Sequence, residues 1–218
     1  MKIAPSLLSA DCSRLGEELH RVAEAGADLI HLDVMDGHFV PLFSFGPPVI
    51  KKLPRVPGVE MDVHLMISNP ENQIEAFIKS APDRIIIHDE TAVHLHNILK
   101  KIRDSGIKPG VGLLPSTPLE KMDWVIEDID VALILTVNPG LSTSLIHSMI
   151  PKIEKLKERI IKLGLDVEIE VDGGINRDNI RRLSDAGMDI AVAGGAVFGE
   201  KDYAKAISSL KTASGQGQ

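Results

Sequence analysis

The stretch "LIHLDVMDGHFVP", residues 29–41, sets His31 and Asp33 two positions apart inside an otherwise apolar run. Side chains alternate between the two faces of a strand. His31, Asp33 and Met35 therefore share one face, and Ile30, Leu32 and Val34 the other. "MDVHLM" at 61–66 repeats the pattern, with Asp62, His64 and Met66 on one face. In "EIEVDGG", residues 168–174, Glu168, Glu170 and Asp172 fall together, Asp172 last before the glycines. If these faces turn toward a common interior, His31, Asp33, His64 and Asp172 meet. Two imidazoles and two carboxylates combine borderline-soft nitrogen with hard oxygen, a set that suits one divalent ion, whether Zn, Fe(II), Mn or Co. Left unpaired, such carboxylates are costly to desolvate, and a cation supplies the missing charge. Met35 and Met66 read as an apolar wall beside them. Asp62, Glu168 and Glu170 lie lower on their strands and read as structural. Asp36 and His38 read as turn groups, His20, His94, His96 and His147 as solvated helix surface, and Trp124 and Tyr203 as helix-face residues without chemistry.

Positioning four such residues requires a sheet. Short apolar runs recur at Ile3–Ser6, Leu29–Met35, Met61–Met66, Arg84–His88, Lys108–Leu113, Val131–Val137, Val167–Asp172 and Asp189–Gly194. Amphipathic spacing predicts helices over Arg14–Ala25, Asn69–Ser80, Ala92–Ser105, Leu119–Ile126, Leu145–Leu163, Asn176–Ala186 and Tyr203–Lys211, with a shorter one over Pro47–Leu53. "AEAGADLIHLD", "KSAPDRIIIHD", "IEDIDVALILT" and "SDAGMDIAVAG" each leave a helix and enter a strand through an aspartate. Gly26 and Gly187 stand where a helix C-terminus favours a left-handed residue. Strict strand–helix alternation implies a parallel sheet with helices outside. Eight such units in 218 residues fit an α/β protein of the (β/α)8 TIM barrel class, a single domain over residues 1–211 with a disordered tail at 212–218. An open doubly wound sheet is the alternative, but the first strand lacks a Gly-x-Gly-x-x-Gly turn.

Glycine pairs follow the last two strands, in "DGGIN" at 172–176 and "AGGAVFG" at 193–199. Loops after strands seven and eight of a barrel often hold a phosphate on backbone amides, and glycine lets the backbone approach an anion closely. Gly173, Gly174, Gly194 and Gly195 are thus expected to bind a phosphorylated substrate.

Composition narrows the function classes. A net charge of −7, with no Lys/Arg-rich run, excludes a nucleic-acid footprint and gives no long-range attraction for an anion. Any phosphate must be held locally. The one cysteine, Cys12, excludes an internal disulfide, which suits a cytoplasmic location. No apolar stretch is long enough to span a bilayer, and the N-terminus lacks a signal peptide's apolar core.

The motifs "IAPSLLSAD", "GADLIHLDVMDGHFVP", "DVHLMISNP", "TPLE", "VNPG" and "EIEVDGGIN" together resemble the ribulose-phosphate 3-epimerase family, in order from Ile3 to about Tyr203. The resemblance implies a (β/α)8 barrel that interconverts ribulose 5-phosphate and xylulose 5-phosphate around one divalent metal. It places the metal ligands at His31, Asp33, His64 and Asp172, the acid/base pair at Asp33 and Asp172, and a substrate-contacting serine at Ser6. His64, Gly140, Leu141 and Ser142 fall on further substrate positions. The chemistry is consistent with this. Inverting a carbon beside a ketone requires a proton to leave one face and return to the other, and a cation near the carbonyl stabilises the enediolate between.

The chain departs from the family pattern in places. After "VNPG" the family usually reads Phe-Gly-Gly-Gln, where this chain has Leu141-Ser142-Thr143-Ser144. After "HFVP" stand Leu42-Phe43-Ser44 instead of Asn-Leu-Thr, Gly195 replaces a serine, and Leu135 stands where a methionine is frequent. These positions cover the substrate and leave the four-residue set intact. Two alternatives follow: the same chemistry on another ketose such as allulose 6-phosphate, or a non-catalytic sugar-phosphate-binding barrel. A related decarboxylase would need a lysine where Met35 stands. The sequence leaves open a homo-oligomer.

Overall fold

The structure, a computed structural model, describes residues 1–141 and 144–215. Ser142, expected at the substrate loop, lies outside the described residues. The strands are β1 (Lys2–Pro5), β2 (Leu29–Met35), β3 (Glu60–Met66), β4 (Arg84–His88), β5 (Lys108–Leu113), β6 (Val131–Leu135), β7 (Glu168–Asp172) and β8 (Ile190–Ala193). All eight runs expected from the sequence are present, in one sheet of order β1-β8-β7-β6-β5-β4-β3-β2 with every pairing parallel. A parallel bridge between Ser6 and His31 brings β1 back to β2. The fold is a (β/α)8 TIM barrel.

The helices α1 (Leu15–Glu24), α2 (Pro47–Ile50), α3 (Ile74–Ile78), α4 (Leu95–Asp104), α5 (Ile150–Leu163), α6 (Ile180–Asp185), α7 (Gly195–Phe198) and α8 (Tyr203–Ala213) connect the strands. Gly26 and Gly187 close helices at φ 91° and 107°, the left-handed role their positions suggest. Helix α8 runs two residues past Lys211, and Ser214 is buried, so ordered structure extends into the stretch expected to be a tail.

One expected helix does not form. In place of a helix over Leu119–Ile126 stand two 3-10 turns, Leu119–Met122 and Ile126–Asp128. The buried residues there are Leu119, Met122, Val125 and Ile126. Leu119, Met122 and Val125 fit three residues per turn and Leu119, Met122 and Ile126 fit 3.6, so the spacing is compatible with either period. Trp124 consequently sits on a turn, 90% exposed.

Side chains inside the barrel form layers, and the lowest is ionic. Arg84 is wholly buried, with its guanidinium 2.6 Å from Glu60 and 2.7 Å from Glu168. Lys108 joins Glu60 at 2.7 Å and Lys2 joins Glu168 at 2.6 Å. Apolar residues fill one side of the interior above, including Ile86, Leu133 and Leu135. The polar residues of β2, β3 and β7 occupy the other side, nearer the mouth.

Candidate active site

Strand alternation and register bring the polar faces together. In the β2–β3 pairing His31 lies beside Asp62 and Asp33 beside His64. Asp172 ends β7, which β8 and β1 separate from β2. His31, Asp33, His64 and Asp172 each direct one donor atom into a cluster in which all such atoms lie within 4.8 Å of one another. This is the set expected from the sequence.

His31, Asp33 and His64 are each held by further side chains. Asp33 Oδ1 lies 3.2 Å from Nε2 of His31 and 3.1 Å from Nδ1 of His64, and Asp33 Oδ2 accepts from the Ser6 hydroxyl at 2.6 Å. On its far side His31 places Nδ1 2.7 Å from Asp62 and 3.0 Å from Glu170. A carboxylate on the outer nitrogen of an imidazole fixes its tautomer and aims its inner nitrogen. Asp62 and Glu170, buried below the cluster, are thus structural in the sense expected. Ser44 ties the loop after β2 in place, donating to the Asp33 carbonyl at 2.5 Å and accepting from the Met35 amide at 2.9 Å. Asp36 makes the anticipated turn, accepting from the amides of His38 and Phe39 at 2.9 and 3.0 Å. Met35 and Met66 pack with Val40 as the apolar wall.

The protonation preferences of the carboxylates diverge. Burial pushes the Asp33 carboxyl up, but His31 and His64 outweigh it and hold the group well below the usual range. Asp172, partly exposed, is raised to about 7 by desolvation and by the charge of Asp33. Glu170 is raised to about 8 by burial and by Asp62. Desolvation lowers His31, yet Asp33, Asp62 and Glu170 outweigh it and raise the ring well above its ordinary value. The carboxylates thus call for a positive charge at the centre of the cluster. A proton on His31 answers that demand, and so would a divalent ion, for which the mixed nitrogen and oxygen donors are suited.

Above the cluster opens a cavity of about 900 Å3. Ser6, Asp33 and Asp172 reach its floor, while His31 and His64 are buried just beneath. Its wall includes Gly140 and Leu141 on one side and the pairs Gly173, Gly174 and Gly194, Gly195 on the other. The Ser9 hydroxyl also faces this wall, lying against Gly194 where a Cβ would otherwise stand.

Sequence reasoning gave no role to His88. This ring is buried, with Nε2 2.8 Å from Nε2 of His64 and Nδ1 2.9 Å from Glu90. Its position at the end of β4, on the same face as Arg84 and Ile86, was the available signal. His20, His94, His96 and His147 are exposed, as expected.

A parallel barrel that gathers two carboxylates and two imidazoles under a cavity at its C-terminal mouth has the form of a (β/α)8 enzyme. Residues 2–198 match the model of the ribulose-phosphate 3 epimerase family. The chain is 44% identical over 213 residues to the ribulose-phosphate 3-epimerase of Bacillus subtilis, covering 97% of this chain and 98% of that one. It is 46% identical to the Synechocystis ribulose-phosphate 3-epimerase, covering 96% of this chain and 92% of the relative. The chain belongs to the ribulose-phosphate 3-epimerase family, and is thereby an isomerase. Among solved structures, 3-keto-L-gulonate-6-phosphate decarboxylase from Vibrio cholerae superposes with a TM-score of 0.74 at 14% identity, covering 99% of this chain and 97% of that one. The 3-hexulose-6-phosphate synthase from Salmonella typhimurium gives 0.72 at 16%, covering both chains fully. At such identities these two share the fold alone. Among the described residues no helix is long and apolar enough to cross a membrane.

Proposed function

We propose that this chain is a divalent-metal-dependent 3-epimerase that interconverts D-ribulose 5-phosphate and D-xylulose 5-phosphate. The observation that carries the reading is the cluster of His31, Asp33, His64 and Asp172, whose donor atoms all lie within 4.8 Å of one another beneath the cavity at the barrel mouth. His31, Asp33, His64 and Asp172 would hold the ion. A divalent ion there supplies positive charge to substrate oxygens as negative charge develops on them.

Asp33 and Asp172 are the proton carriers. One removes the proton from C3 of the ketose, giving an enediolate, and the other returns a proton to the opposite face. In the reverse direction the two exchange roles. Their placement suits this division, since both reach the cavity floor, from strands β2 and β7 that β8 and β1 separate. The Ser6 hydroxyl, bonded to Asp33 Oδ2, fixes which oxygen of that carboxylate faces the site. Backbone amides of Gly173, Gly174, Gly194 and Gly195, with Gly140 and Leu141 across the cavity, are the proposed contacts to substrate and its phosphate.

The test is turnover in deuterated water over a panel of phosphorylated and free ketoses. Ribulose 5-phosphate should convert to xylulose 5-phosphate with deuterium at C3. Faster turnover of allulose 6-phosphate would make the Leu141 loop a specificity change toward a ketohexose. Saturable binding without C3 exchange would contradict the reading and leave a binding barrel.

A further inference from the structure

We propose that the Ser9 hydroxyl donates a hydrogen bond to the phosphate of the substrate and so favours a phosphorylated ketose over a free one. The inference deepens the proposed function, on which it rests, by adding one side chain to the backbone contacts named there.

The cavity offers a phosphate hydrogen bonds but no cationic side chain. Among the described residues that line it, the charged ones are Asp33 and Asp172, and neither lysine nor arginine stands in the wall. With the reacting carbons over those two carboxyls, the phosphate extends away from the floor and must be held by uncharged donors. Hydrogen bonds to an ionised acceptor are the strong ones, so each such donor counts. Ser9 lines the same wall as the pairs Gly173, Gly174 and Gly194, Gly195. It is exposed, and its hydroxyl has no hydrogen-bond partner among the described residues.

A short, anchored turn aims this hydroxyl. The 3-10 turn Leu7–Ser9 follows Ser6 directly, and the Ser9 amide donates to the Ser6 carbonyl at 3.1 Å. Leu7 is wholly buried in the core, and Leu8 packs against Met35, Val40 and Met66. Three residues of such a turn rise about 6 Å. Ser6, at its start, bonds Asp33 at the floor, and Ser9, at its end, lies against Gly194. That rise is comparable to the four-bond arm from C3 of a ketose 5-phosphate to its phosphorus. One turn thus sets one hydroxyl at the proton carriers and another at the phosphate end. A Cβ on Gly194 would collide with Ser9 Oγ, so glycine at 194 is what leaves the hydroxyl its place. Gly195 beside it has nothing within 4 Å of where a Cβ would stand. It begins a helical turn, a conformation that serine also adopts.

The experiment compares three full-length chains loaded with Mn2+: wild type, Ser9→Ala, and Ser9→Ala combined with Gly195→Ser. The second substitution sets a hydroxyl in the open space beside Gly194. KM and kcat are measured for ribulose 5-phosphate, together with the inhibition constant of inorganic phosphate, which probes the phosphate end alone. S9A should raise both KM and the inhibition constant about ten- to a hundredfold, the loss expected for one hydrogen bond to a charged group. Its kcat should fall by less than KM rises. Adding G195S should recover most of the loss, a rescue that a packing role for Ser9 would not allow. An S9A chain with the KM and inhibition constant of the wild type would overturn the inference and leave the proposed function standing. So would a loss in S9A that G195S leaves unrestored. A wild type that turns over no phosphorylated ketose would overturn the proposed function, and this inference with it.

Discussion

At the scale of single residues, the chemistry reduces to two carboxyls made unlike by their surroundings. Asp33 has two imidazoles and a hydroxyl around it, whereas Asp172 is pushed up by its burial and by the charge of Asp33. Asp33→Asn and Asp172→Asn should each lower turnover by about 10²–10⁴, the usual worth of a general acid or base. Steady-state assay of both variants, with bound metal quantified, checks this. Near-wild-type turnover by either variant would remove it from the pair. The four-residue set was legible in the sequence because strand alternation is a fixed period and each residue stood in a recognisable strand. His88 was not legible in the same way. Its partners are a histidine 24 residues earlier and a glutamate in the turn that follows. The β3–β4 register sets Ile86, not His88, beside His64, so the two rings meet on the diagonal, which spacing in the sequence does not show.

At the scale of elements, strands were easier to read than the segments joining them. A buried strand announces itself by an apolar run, and all eight did. The segment from Leu119 to Ile126 presented apolar residues that fit either a helical or a 3-10 period, and two 3-10 turns formed. The loop that precedes it, after β5, is tied down by ions and hydrogen bonds that no sequence period encodes. Lys152 of α5 donates to the Leu114 and Thr117 carbonyls at 2.9 and 2.6 Å. Glu90 grips the same loop from the end of β4. Because the folded state holds Glu90 at about 2 against an ordinary 4.5, its stabilisation is complete above pH 4.5 and is lost as pH falls toward 2. The ceiling on that contribution is about 3 kcal/mol. The wild type should exceed Glu90→Gln in unfolding free energy above pH 4.5, and the gap should narrow steadily below it. Denaturant titrations of both chains across that range read the difference. A gap independent of pH would mean that Glu90 acts through packing rather than charge.

At the scale of the whole molecule, the barrel separates stability from chemistry along its axis. The bottom is closed by Arg84 with Glu60 and Glu168, and the mouth carries the proposed metal and proton carriers. Arg84→Met should destabilise the fold while leaving kcat and KM of the folded enzyme unchanged. Removing one member of a buried pair costs about 3–5 kcal/mol when its partner is stranded. Here Glu60 keeps Lys108 and Glu168 keeps Lys2, and both carboxylates are partly exposed, so the loss should be about 1–3 kcal/mol. Thermal unfolding and steady-state kinetics on one preparation separate the two effects. The most direct test of the whole account lies at the other end of the barrel. Metal-free chain is titrated with Zn2+ or Mn2+ in deuterated water, and C3 deuterium uptake into ribulose 5-phosphate is followed with ion occupancy. Exchange should be absent without metal and rise in proportion to occupancy, reaching its plateau at about one ion per chain. Full exchange in demonstrably metal-free protein would contradict the assignment of His31, Asp33, His64 and Asp172 as a metal centre.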